Sequence, residues 1–594
     1  MEKKYAFSNS EIAALLRKVW LSYIALGENQ FKIIAYDRAS QAVEQSSADL
    51  SDLWEKEDLT KLPGIGKSIA SHLDEFFRTG KVKVYNNIFE KLTPAFFEFI
   101  KIPGVGPKTA LKLSQELGIT QAPNAILRLR KAAILGKISS LTGFGQQSEQ
   151  RILKSLGKIN NNDKRILLAK AINVSDRLLD YLKKLPQVHR ADTLGSLRRH
   201  QATVGDIDIS VASNFPKKVV NYFVSYPKIQ EVLEAGTNKA RVILKNGFQV
   251  DLMVENVESY GALLQHFTGS KAHNIALREY SVKRKMSLSE HGIKYDNKLE
   301  SFNSEEKFYQ RLGIQYIPPD LREGEGEISL ALQNKIPELV SQKDLQGDLH
   351  IHSNFNIEPS HDLGHSSLAQ IYSKAVELGY EYIGLSEHNP STSKHTEAEI
   401  INLINNKKQY IEQFISSDKN REIARVNKLY ILNSLEIDIL ADGSLAIPDK
   451  AISILDYAIA SIHSSFQLDS GLMTKRVLKA LEHPKVKILG HPTGRMLYNR
   501  DGYKADWEQI FKYCSQNNKF LEINSWPERL DLPDFLIKKA LKFNVKFVIN
   551  SDSHEVTEME LIKFGVWNAR RGWLQKKDII NCFPYSKIKR ILLE

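Results

Sequence analysis

The chain has 594 residues, 42% of them hydrophobic, which excludes a single small binding module and predicts several domains with cores of their own. Its 82 Lys and Arg residues outnumber 70 Asp and Glu, and the resulting net charge of +12 favours a polyanionic partner, nucleic acid above all. With only 2 cysteines, a disulfide framework and a thiolate metal cage are excluded, so a metal would be held by His and carboxylates in a reducing compartment.

The N-terminal part, to about Ser140, carries apolar residues at helical spacing between Pro and Gly breaks, which predicts an all-α region. No apolar run approaches the roughly 20 residues of a membrane span and no signal peptide is apparent, so we expect neither membrane insertion nor secretion.

Two segments in this region, residues 62–70 and 102–110, share the order apolar, Pro, Gly, apolar, Gly, and residues 141–145 resemble a degenerate third copy. Paired glycines allow a tight turn that exposes backbone N–H groups at a helix N-terminus, where a phosphate oxygen can bind. The segments resemble helix-hairpin-helix motifs, which bind DNA without reading its bases. The residues predicted to contact DNA are Gly64, Gly66, Lys67, Gly104, Gly106 and Lys108.

Between about Leu178 and Val254 polar and apolar residues alternate, as in half-buried strands. Asp206 and Asp208 would share one face of a strand, and Asp251 would join them if its own strand pairs nearby. Three acids that close repel one another unless they bind divalent metal, and two Mg²⁺ ions held this way suit an in-line phosphoryl transfer. The preceding turn offers N–H, hydroxyl and guanidinium groups to phosphates through Gly195, Ser196 and Arg199.

A family resemblance rests on the three acids, the Gly-Ser turn, the Gly hairpins and the segment Phe267-Thr-Gly-Ser-Lys-Ala-His-Asn-Ile-Ala-Leu-Arg278. Together these features resemble a family X DNA polymerase. This resemblance implies that the three acids are the catalytic metal ligands and that the Gly-Ser turn with its arginine cradles the triphosphate. It also implies that Phe267 and Gly269 flank the nucleotide sugar, and that Asn274 and Arg278 contact the nascent pair from the minor groove. Lys271 and His273 in the same helix are open between a DNA contact and a surface position.

One position departs from the family pattern. Members with 5′-deoxyribose phosphate lyase activity carry a Schiff-base lysine near the first hairpin, where this chain has His72. Imidazole cannot form that imine, so the lyase activity is not expected.

Beyond a Pro- and Glu-rich stretch around residues 317–327, short apolar strands alternate with helical segments, which predicts a β/α barrel. Most of these strands end in His, Asp or Glu, and barrel active sites form at the C-terminal ends of strands. The predicted metal ligands are His350, His352, His388, Glu436, His463, His491, Asp552 and His554. Imidazole and carboxylate without thiolate suit Mn²⁺, Zn²⁺ or Fe²⁺, and a cluster of such ions suits phosphoester hydrolysis.

This ligand series resembles the PHP (polymerase and histidinol phosphatase) domain, which in bacterial family X polymerases carries a Mn²⁺-dependent 3′–5′ exonuclease. Ile357 stands where that family has an acid or His, so Glu358, His361 or Asp362 would have to replace it. Glu387 stands where Asp is usual, a change that would shift a supporting hydrogen bond. Arg495 and Arg529 are open between gripping the substrate backbone and a surface salt bridge.

We therefore expect an all-α helix-hairpin-helix region, an α+β nucleotidyltransferase palm with a thumb, and a distorted β/α barrel. The expected boundaries are 1–92 and 93–163 for two helical domains, 164–257 for the palm, 258–325 for the thumb, 326–345 for a linker and 346–594 for the PHP domain. The expected protein is a monomeric, cytoplasmic bacterial repair polymerase acting with dNTPs on gapped or primer-template DNA, with Mg²⁺ in the palm and two or three Mn²⁺ or Zn²⁺ ions in the barrel.

Two other readings stay open at this point. One is a small-molecule phosphoesterase of the histidinol phosphatase kind with a relic N-terminal half, against which the intact acid triad argues. The other is a non-catalytic scaffold for DNA ends, for which Ile357 is the only support.

Overall fold

The N-terminal region is helical throughout in the computed structural model, which describes residues 7, 9–44, 50–55, 58–62, 64–102, 104–122, 124–163, 165–417 and 429–593. Two hydrophobic cores divide it, one built around Leu16, Leu73 and Phe77 and one around Phe96 and Leu129. Its helices are α1 (Asn9–Leu26), α2 (Gln30–Glu44), α3 (Leu50–Glu55), α4 (Lys67–Thr79), α5 (Lys83–Phe89), α6 (Pro94–Phe99), α7 (Pro107–Glu116), α8 (Ala125–Ile134) and α9 (Gln146–Asp163).

Both Gly hairpins have the same backbone geometry. Gly64 and Gly104 have φ angles of 101° and 84°, in the left-handed region that favours glycine. Gly66 and Gly106 are extended and cap the N-termini of α4 and α7. The prolines of the two motifs, Pro63 and Pro103, lie outside the described residues.

The palm is a five-stranded sheet in the order β2-β4-β7-β6-β5, flanked by helices whose apolar faces bury one side of it. β4 and β7 run parallel, and their register places Asp208 opposite Asp251. β1 pairs with β3 in a separate small sheet. The elements are β1 (Ile166–Leu167), α10 (Leu168–Lys183), β2 (Arg190–Thr193), α11 (Gly195–Arg198), β3 (Thr203–Val204), β4 (Ile207–Ala212), α12 (Pro216–Val224), β5 (Ile229–Ala235), β6 (Lys239–Leu244) and β7 (Gln249–Glu255).

The thumb joins helices to a small antiparallel sheet in the order β10-β9-β8. Its elements are α13 (Tyr260–Thr268), α14 (Lys271–Val282), β8 (Met286–Ser289), β9 (Gly292–Tyr295), β10 (Lys298–Glu300), α15 (Glu305–Arg311) and α16 (Glu327–Leu332).

The stretch 326–345, expected to be a linker, is packed rather than extended. Helix α16 lies in it, and Ala331, Ile336 and Leu339 join the thumb core. Val340 belongs to the barrel core instead. The apolar residues spaced along this Pro- and Glu-rich stretch explain the difference, because their burial holds the segment against both neighbours.

The C-terminal region is a distorted parallel β/α barrel made of two sheets. Bridges between Ile351 and Ser553 and between His388 and Glu436 connect the sheets, so the strands enclose a common core. Its strands are β11 (Gly347–Ile351), β12 (Tyr382–Leu385), β13 (Tyr430–Asn433), β14 (Glu436–Asp438), β15 (Ala458–Ser461), β16 (Val486–Leu489), β17 (Phe520–Asn524) and β18 (Phe547–Asn550). Its helices are α17 (Leu368–Glu377), α18 (Glu397–Ser416), α19 (Asp449–Ile452), α20 (Ser470–Leu481), α21 (Trp507–Gln516), α22 (Asp534–Leu541), α23 (Ile562–Arg571) and α24 (Tyr585–Leu593).

The helical region, palm, thumb and barrel confirm the predicted fold class. Within the described part of the chain, no helix combines the length and hydrophobicity needed to cross a bilayer.

Candidate active sites

The palm brings its three predicted acids together at one end of the sheet. Asp208 lies on β4 beside Asp251 on β7, and Asp206 immediately precedes β4. Each offers a carboxylate oxygen within 4.8 Å of the others. This spacing suits ligands of a shared divalent ion, which would offset their mutual repulsion.

Burial and mutual repulsion raise the pKa values of two of these acids. Burial, with the charges of Asp206 and Asp251 in addition, raises the pKa of Asp208 to about 7. Burial and the charge of Asp251 likewise raise the pKa of Asp206. Arg241 donates to both carboxylate oxygens of Asp251, at 2.8 and 2.9 Å, so a cation bound between the acids would compete with this arginine.

The Gly-Ser turn lies directly against the acids. A Cβ on Gly195 would come within 2.5 Å of Asp208 Oδ2, and its φ of 57° lies in the left-handed region, so both space and backbone favour glycine there. Ser196 and Arg199 follow in and after the short helix α11. The Arg199 guanidinium donates to the carbonyl oxygen of Thr268 and lies 3.2 Å from where a Cβ on Gly269 would stand.

The thumb side of the palm site holds the other predicted nucleotide contacts. Asn274 on α14 donates from Nδ2 to the carbonyl of His266 at 2.7 Å and accepts from Gln265 at 3.0 Å, so its amide is held in one orientation. Arg278, one turn further along α14, is exposed, and Phe267 is half-buried.

The two positions on α14 whose roles the sequence left open differ in burial. Lys271 is exposed, whereas His273 is buried, with Nδ1 2.7 Å from Glu327 and Nε2 2.9 Å from the Tyr309 hydroxyl. His273 therefore joins α14 to the thumb core and has no free nitrogen for DNA.

The barrel gathers all eight of its predicted ligands around Glu436. One Glu436 oxygen, Oε2, lies 3.3 Å from His350 Nε2, 3.6 Å from His352 Nε2 and 3.2 Å from His388 Nδ1. The other, Oε1, lies 3.4 Å from His463 and 2.8 Å from His491. Asp552 Oδ1 lies 3.3 Å from His352, whose ring stacks on that of His554 at 4.0 Å.

The donor atoms of this cluster fit metal ions. Six buried atoms that face one another have no hydrogen-bond partner among the described residues; they are His350 Nε2, His352 Nε2, His388 Nδ1, Glu436 Oε2, Asp552 Oδ1 and His554 Nε2. Buried polar atoms without partners are costly, and ions between them would satisfy them. Overlapping sets of three or four of these residues bring their ligand atoms within 4.8 Å of one another, so the cluster can accommodate more than one ion.

Two supporting carboxylates were not singled out from the sequence. Glu522, in the middle of β17, accepts from His350 Nδ1 at 2.7 Å and from the His491 backbone N–H at 2.6 Å. Asp438, two residues after Glu436, lies 2.6 Å from His463 Nδ1. Each fixes a histidine so that Nε2 faces the cluster. The sequence could have pointed to Glu522, because it is an acid between apolar residues of one strand.

Of the residues near Ile357, Asp362 is the one that contacts the predicted metal ligands. Ile357 is buried in the barrel core. Asp362 instead reaches the cluster, with its two oxygens 3.3 Å from His388 Nε2 and 3.4 Å from His554 Nε2. His361 lies 3.0 Å from Asp438, whereas Glu358 turns to His395 at 3.3 Å.

The remaining barrel positions have distinct contacts. Glu387 accepts from the Ser353 backbone at 3.1 Å and pairs with the buried Lys407, so it supports the loop after β11. Arg495 donates to the backbone carbonyls of Arg529 and Leu530, which is neither a salt bridge nor a free substrate contact. Arg529 Nη1 is buried without a hydrogen-bond partner among the described residues, and its charge helps burial to lower the pKa of His491.

The hairpin lysines are exposed. Lys67 and Lys108 lie in the first turns of α4 and α7, and a groove beside Gly104 continues to Gly143 of the degenerate third copy. His72, in contrast, lies 2.9 Å from the Tyr36 hydroxyl and against the Tyr85 ring, and burial lowers its pKa.

A nucleotidyltransferase palm with a thumb, joined to helix-hairpin-helix motifs and to a metal-type β/α barrel, defines a two-site class of phosphoryl-transfer protein. Family models agree: Helix-hairpin-helix domain matches residues 7–82, SAM-like Helix-hairpin-helix tandem 96–158, DNA polymerase beta thumb 263–323 and PHP domain 348–526.

Comparison with curated proteins extends this result to the full length. The chain is 31% identical over 588 residues to the DNA polymerase/3'-5' exonuclease PolX of Bacillus subtilis, covering 98% of this chain and 99% of that protein. A probable phosphatase of Clostridium acetobutylicum is 28% identical over 217 residues, which are 35% of this chain and 78% of the phosphatase. The protein belongs to the PolX family, the family X DNA polymerases that carry a PHP domain.

Proposed function

We propose that the protein is a DNA repair enzyme that fills short gaps at the palm and removes nucleotides from 3′ ends at the barrel. The observation that carries this proposal is the presence of two separate ligand clusters in one chain, three acids in the palm and overlapping groups of histidines and acids in the barrel. The Bacillus subtilis relative is named as a DNA polymerase and 3'-5' exonuclease, which are the same two activities.

In the palm, Asp206, Asp208 and Asp251 are the proposed ligands of Mg²⁺. When bound, Mg²⁺ activates the primer hydroxyl and neutralises charge on the triphosphate. Gly195 leaves room for the close approach of the turn to Asp208, and Ser196 and Arg199 donate to the phosphates. Phe267 and Gly269 flank the sugar of the incoming dNTP.

The same site reads the geometry of the base pair rather than its sequence. Asn274, oriented by its bonds to residues 265 and 266, and Arg278 present donors to minor-groove acceptors that all correct pairs share. The exposed hairpins hold the DNA through backbone N–H groups and the charges of Lys67 and Lys108. Binding of this kind is independent of sequence and sensitive to salt.

In the barrel, His350, His352, His388, Glu436, His463, His491, Asp552 and His554 are the proposed ligands of two or three Mn²⁺ or Zn²⁺ ions, with Asp362 in place of the acid that Ile357 replaces. Such ions supply a hydroxide nucleophile and bind the phosphodiester. Glu522 and Asp438 hold His350 and His463 in the required orientation. Arg529 Nη1, buried without a hydrogen-bond partner among the described residues, is the proposed contact for a phosphate oxygen of the substrate.

We place this activity in base excision repair of chromosomal DNA, in the cytoplasm of a bacterium and at its nucleoid, with the protein acting as a monomer. The excess of positive charge agrees with DNA as the partner.

A labelled primer on a one-nucleotide gap tests both sites, incubated with dNTPs to follow extension and without them to follow shortening, in Mg²⁺ or in Mn²⁺. Asp208→Ala is expected to abolish extension only, and His352→Ala to abolish shortening only. Matched controls are Asp180→Ala, an exposed acid of the palm helix α10, and His483→Ala, a barrel histidine outside the cluster. Both controls should behave as the wild type does.

The outcomes separate the three readings. A wild type that never extends the primer, but hydrolyses small phosphate esters as well as DNA, would support a small-molecule phosphoesterase. Tight DNA binding with no turnover in either metal would support a scaffold for DNA ends. Extension without shortening would show that the barrel has lost its chemistry.

A further inference from the structure

The barrel contacts the polymerase half through the last turn of α23. Arg571 Nη1 donates to Glu323 Oε1 at 2.8 Å and to the backbone carbonyl of Arg199 at 2.8 Å. The other side of the same guanidinium donates to Asp534 of the barrel, at 2.9 and 2.6 Å. Arg571 is therefore anchored in one domain and holds a residue of the other.

Glu323 carries this contact to the palm. Its Oε1 atom also accepts from Arg199 Nε at 3.1 Å and from Gln201 Nε2 at 2.7 Å. The side chains of Arg571, Glu323 and Arg199 are only 6%, 17% and 12% exposed, so solvent screens their charges weakly. One carboxylate oxygen thus ties an arginine of the barrel to the arginine expected at the triphosphate.

These contacts restrain Arg199 at both ends. Its backbone carbonyl is held by Arg571, Nε by Glu323 and Nη1 by the Thr268 carbonyl. Within the described residues, Nη2 has no protein partner, so it is the nitrogen left to meet a phosphate. An arginine whose planar group is already oriented loses less side-chain entropy when it binds a phosphate.

We infer that Arg571 is a positioning residue for nucleotide addition, through which the barrel domain sets the affinity of the palm for the incoming dNTP. The inference rests on the proposed function of the palm. Arg571 touches no substrate and acts through Glu323 and the Arg199 carbonyl. Its loss removes one of the three restraints on Arg199 and leaves the Glu323 charge with one cation fewer.

The test is steady-state filling of a one-nucleotide gap by the full-length protein, with KM for the dNTP and kcat measured separately. Arg571→Ala is expected to raise KM about tenfold with kcat within about twofold, because the step affected is triphosphate binding. Arg571→Lys keeps the positive charge but lacks the planar guanidinium with its several donors, so its KM should lie between those of the wild type and Arg571→Ala. Barrel exonuclease activity should stay at the wild-type level.

A double-mutant cycle examines the route of the effect. If Arg571 acts through Glu323, adding Glu323→Ala to Arg571→Ala should raise KM much less than it does in the wild type. Arg570→Ala is the matched control, because Arg570 is the neighbouring arginine of α23 but pairs with Asp320, at 2.6 Å, instead of Glu323. Its KM should stay within about twofold of the wild type.

An unchanged KM in Arg571→Ala, with a wild type that extends the primer, overturns the inference and leaves the proposed function standing. An equal rise in KM in Arg570→Ala also overturns it, because the effect would then be a general loosening of the interface. If Arg571→Ala fails to fold, Arg571→Gln is measured in its place, where a raised KM supports the inference and an unchanged KM overturns it. A wild type that never extends the primer removes the proposed function and the inference together.

Discussion

Asp208 carries an unfavourable charge at neutral pH in the metal-free protein. Burial, together with the charges of Asp206 and Asp251, raises its pKa to about 7, far above the 3.8 of an ordinary aspartate. Gly195 lies close to its carboxylate, because a Cβ there would come within 2.5 Å of Asp208 Oδ2. The residue is therefore placed for a cation rather than for stability.

The stability of the metal-free protein should show this charge. A group whose pKa is raised on folding contributes stability at low pH that is lost as the pH rises through the folded value. In Asp208→Asn the side chain cannot ionise. With a chelator present to remove metal, this variant should therefore be more stable than the wild type by roughly 2 kcal/mol at pH 8, with a smaller gain at pH 5. Urea unfolding at the two pH values measures the difference, and an equal gain at both would contradict the assignment.

Asp362 is the proposed replacement for the acid that the sequence lacks at Ile357. Both of its oxygens face histidines of the barrel cluster, at 3.3 and 3.4 Å. The two histidines it faces, His388 and His554, belong to one candidate metal group.

Removal of this carboxylate should weaken metal binding. Asp362→Ala is expected to lower the Mn²⁺ retained after dialysis by about one equivalent, or to weaken affinity at least ~10-fold. Element analysis and calorimetric titration measure both quantities. Glu358→Ala is the control, because Glu358 turns toward His395 instead, and equal metal loss in the two variants would disprove the assignment.

In each Gly hairpin, two glycines set the turn and the start of the helix that follows. Gly104, with φ of 84°, turns the chain, and Gly106 begins helix α7 with no side chain over its N-terminus. Nothing lies within 4 Å of where a Cβ on Gly106 would stand, so glycine there is not required by packing within the protein. The open space at a helix N-terminus suits a phosphate.

Lys108 should strengthen this site by charge alone. Lys108→Ala is expected to weaken DNA binding about three- to tenfold and to lower the slope of log affinity against log salt by about 0.9, because one phosphate contact is lost. Fluorescence anisotropy over a salt series measures both. Lys542→Ala changes the charge equally in the barrel, and an identical loss there would show that only net charge matters.

At the scale of the whole molecule, the barrel and the polymerase half share a core. Phe564 of α23 and Leu530 are buried with the apolar residues of the palm. His200 stacks on Trp567, with ring centroids 4.3 Å apart, and its Nδ1 lies 2.7 Å from Asp320. Asp320 also accepts from Arg570. Polar and apolar contacts together fix the two halves against each other.

This interface should couple the unfolding of the two halves. Phe564→Ala removes a buried ring and is expected to cost roughly 3–5 kcal/mol, enough to separate the polymerase and barrel halves into distinct calorimetric transitions. Phe535→Ala serves as the control, since Phe535 is 64% exposed. A single, barely shifted transition in the Phe564 variant would show that the interface contributes little to stability.

The sequence by itself determined the order of the domains, the Gly hairpins, the palm strands and the eight ligand-type residues at the barrel strand ends. These features depend on local periodicity and on short motifs whose residues lie close in the chain. The fold class could be predicted from these features. The palm acids could be predicted as well, because Asp206 and Asp208 lie two residues apart at the start of one strand.

Only the tertiary structure decided the rest. The selection of Asp362 over Glu358, the support of His350 by Glu522 and the packing of residues 326–345 all depend on contacts between distant segments. The link from Arg571 through Glu323 to Arg199 joins residues that lie 372 positions apart at its ends. No pattern along the chain encodes such pairings, because they arise from the burial of apolar surface that brings whole domains together.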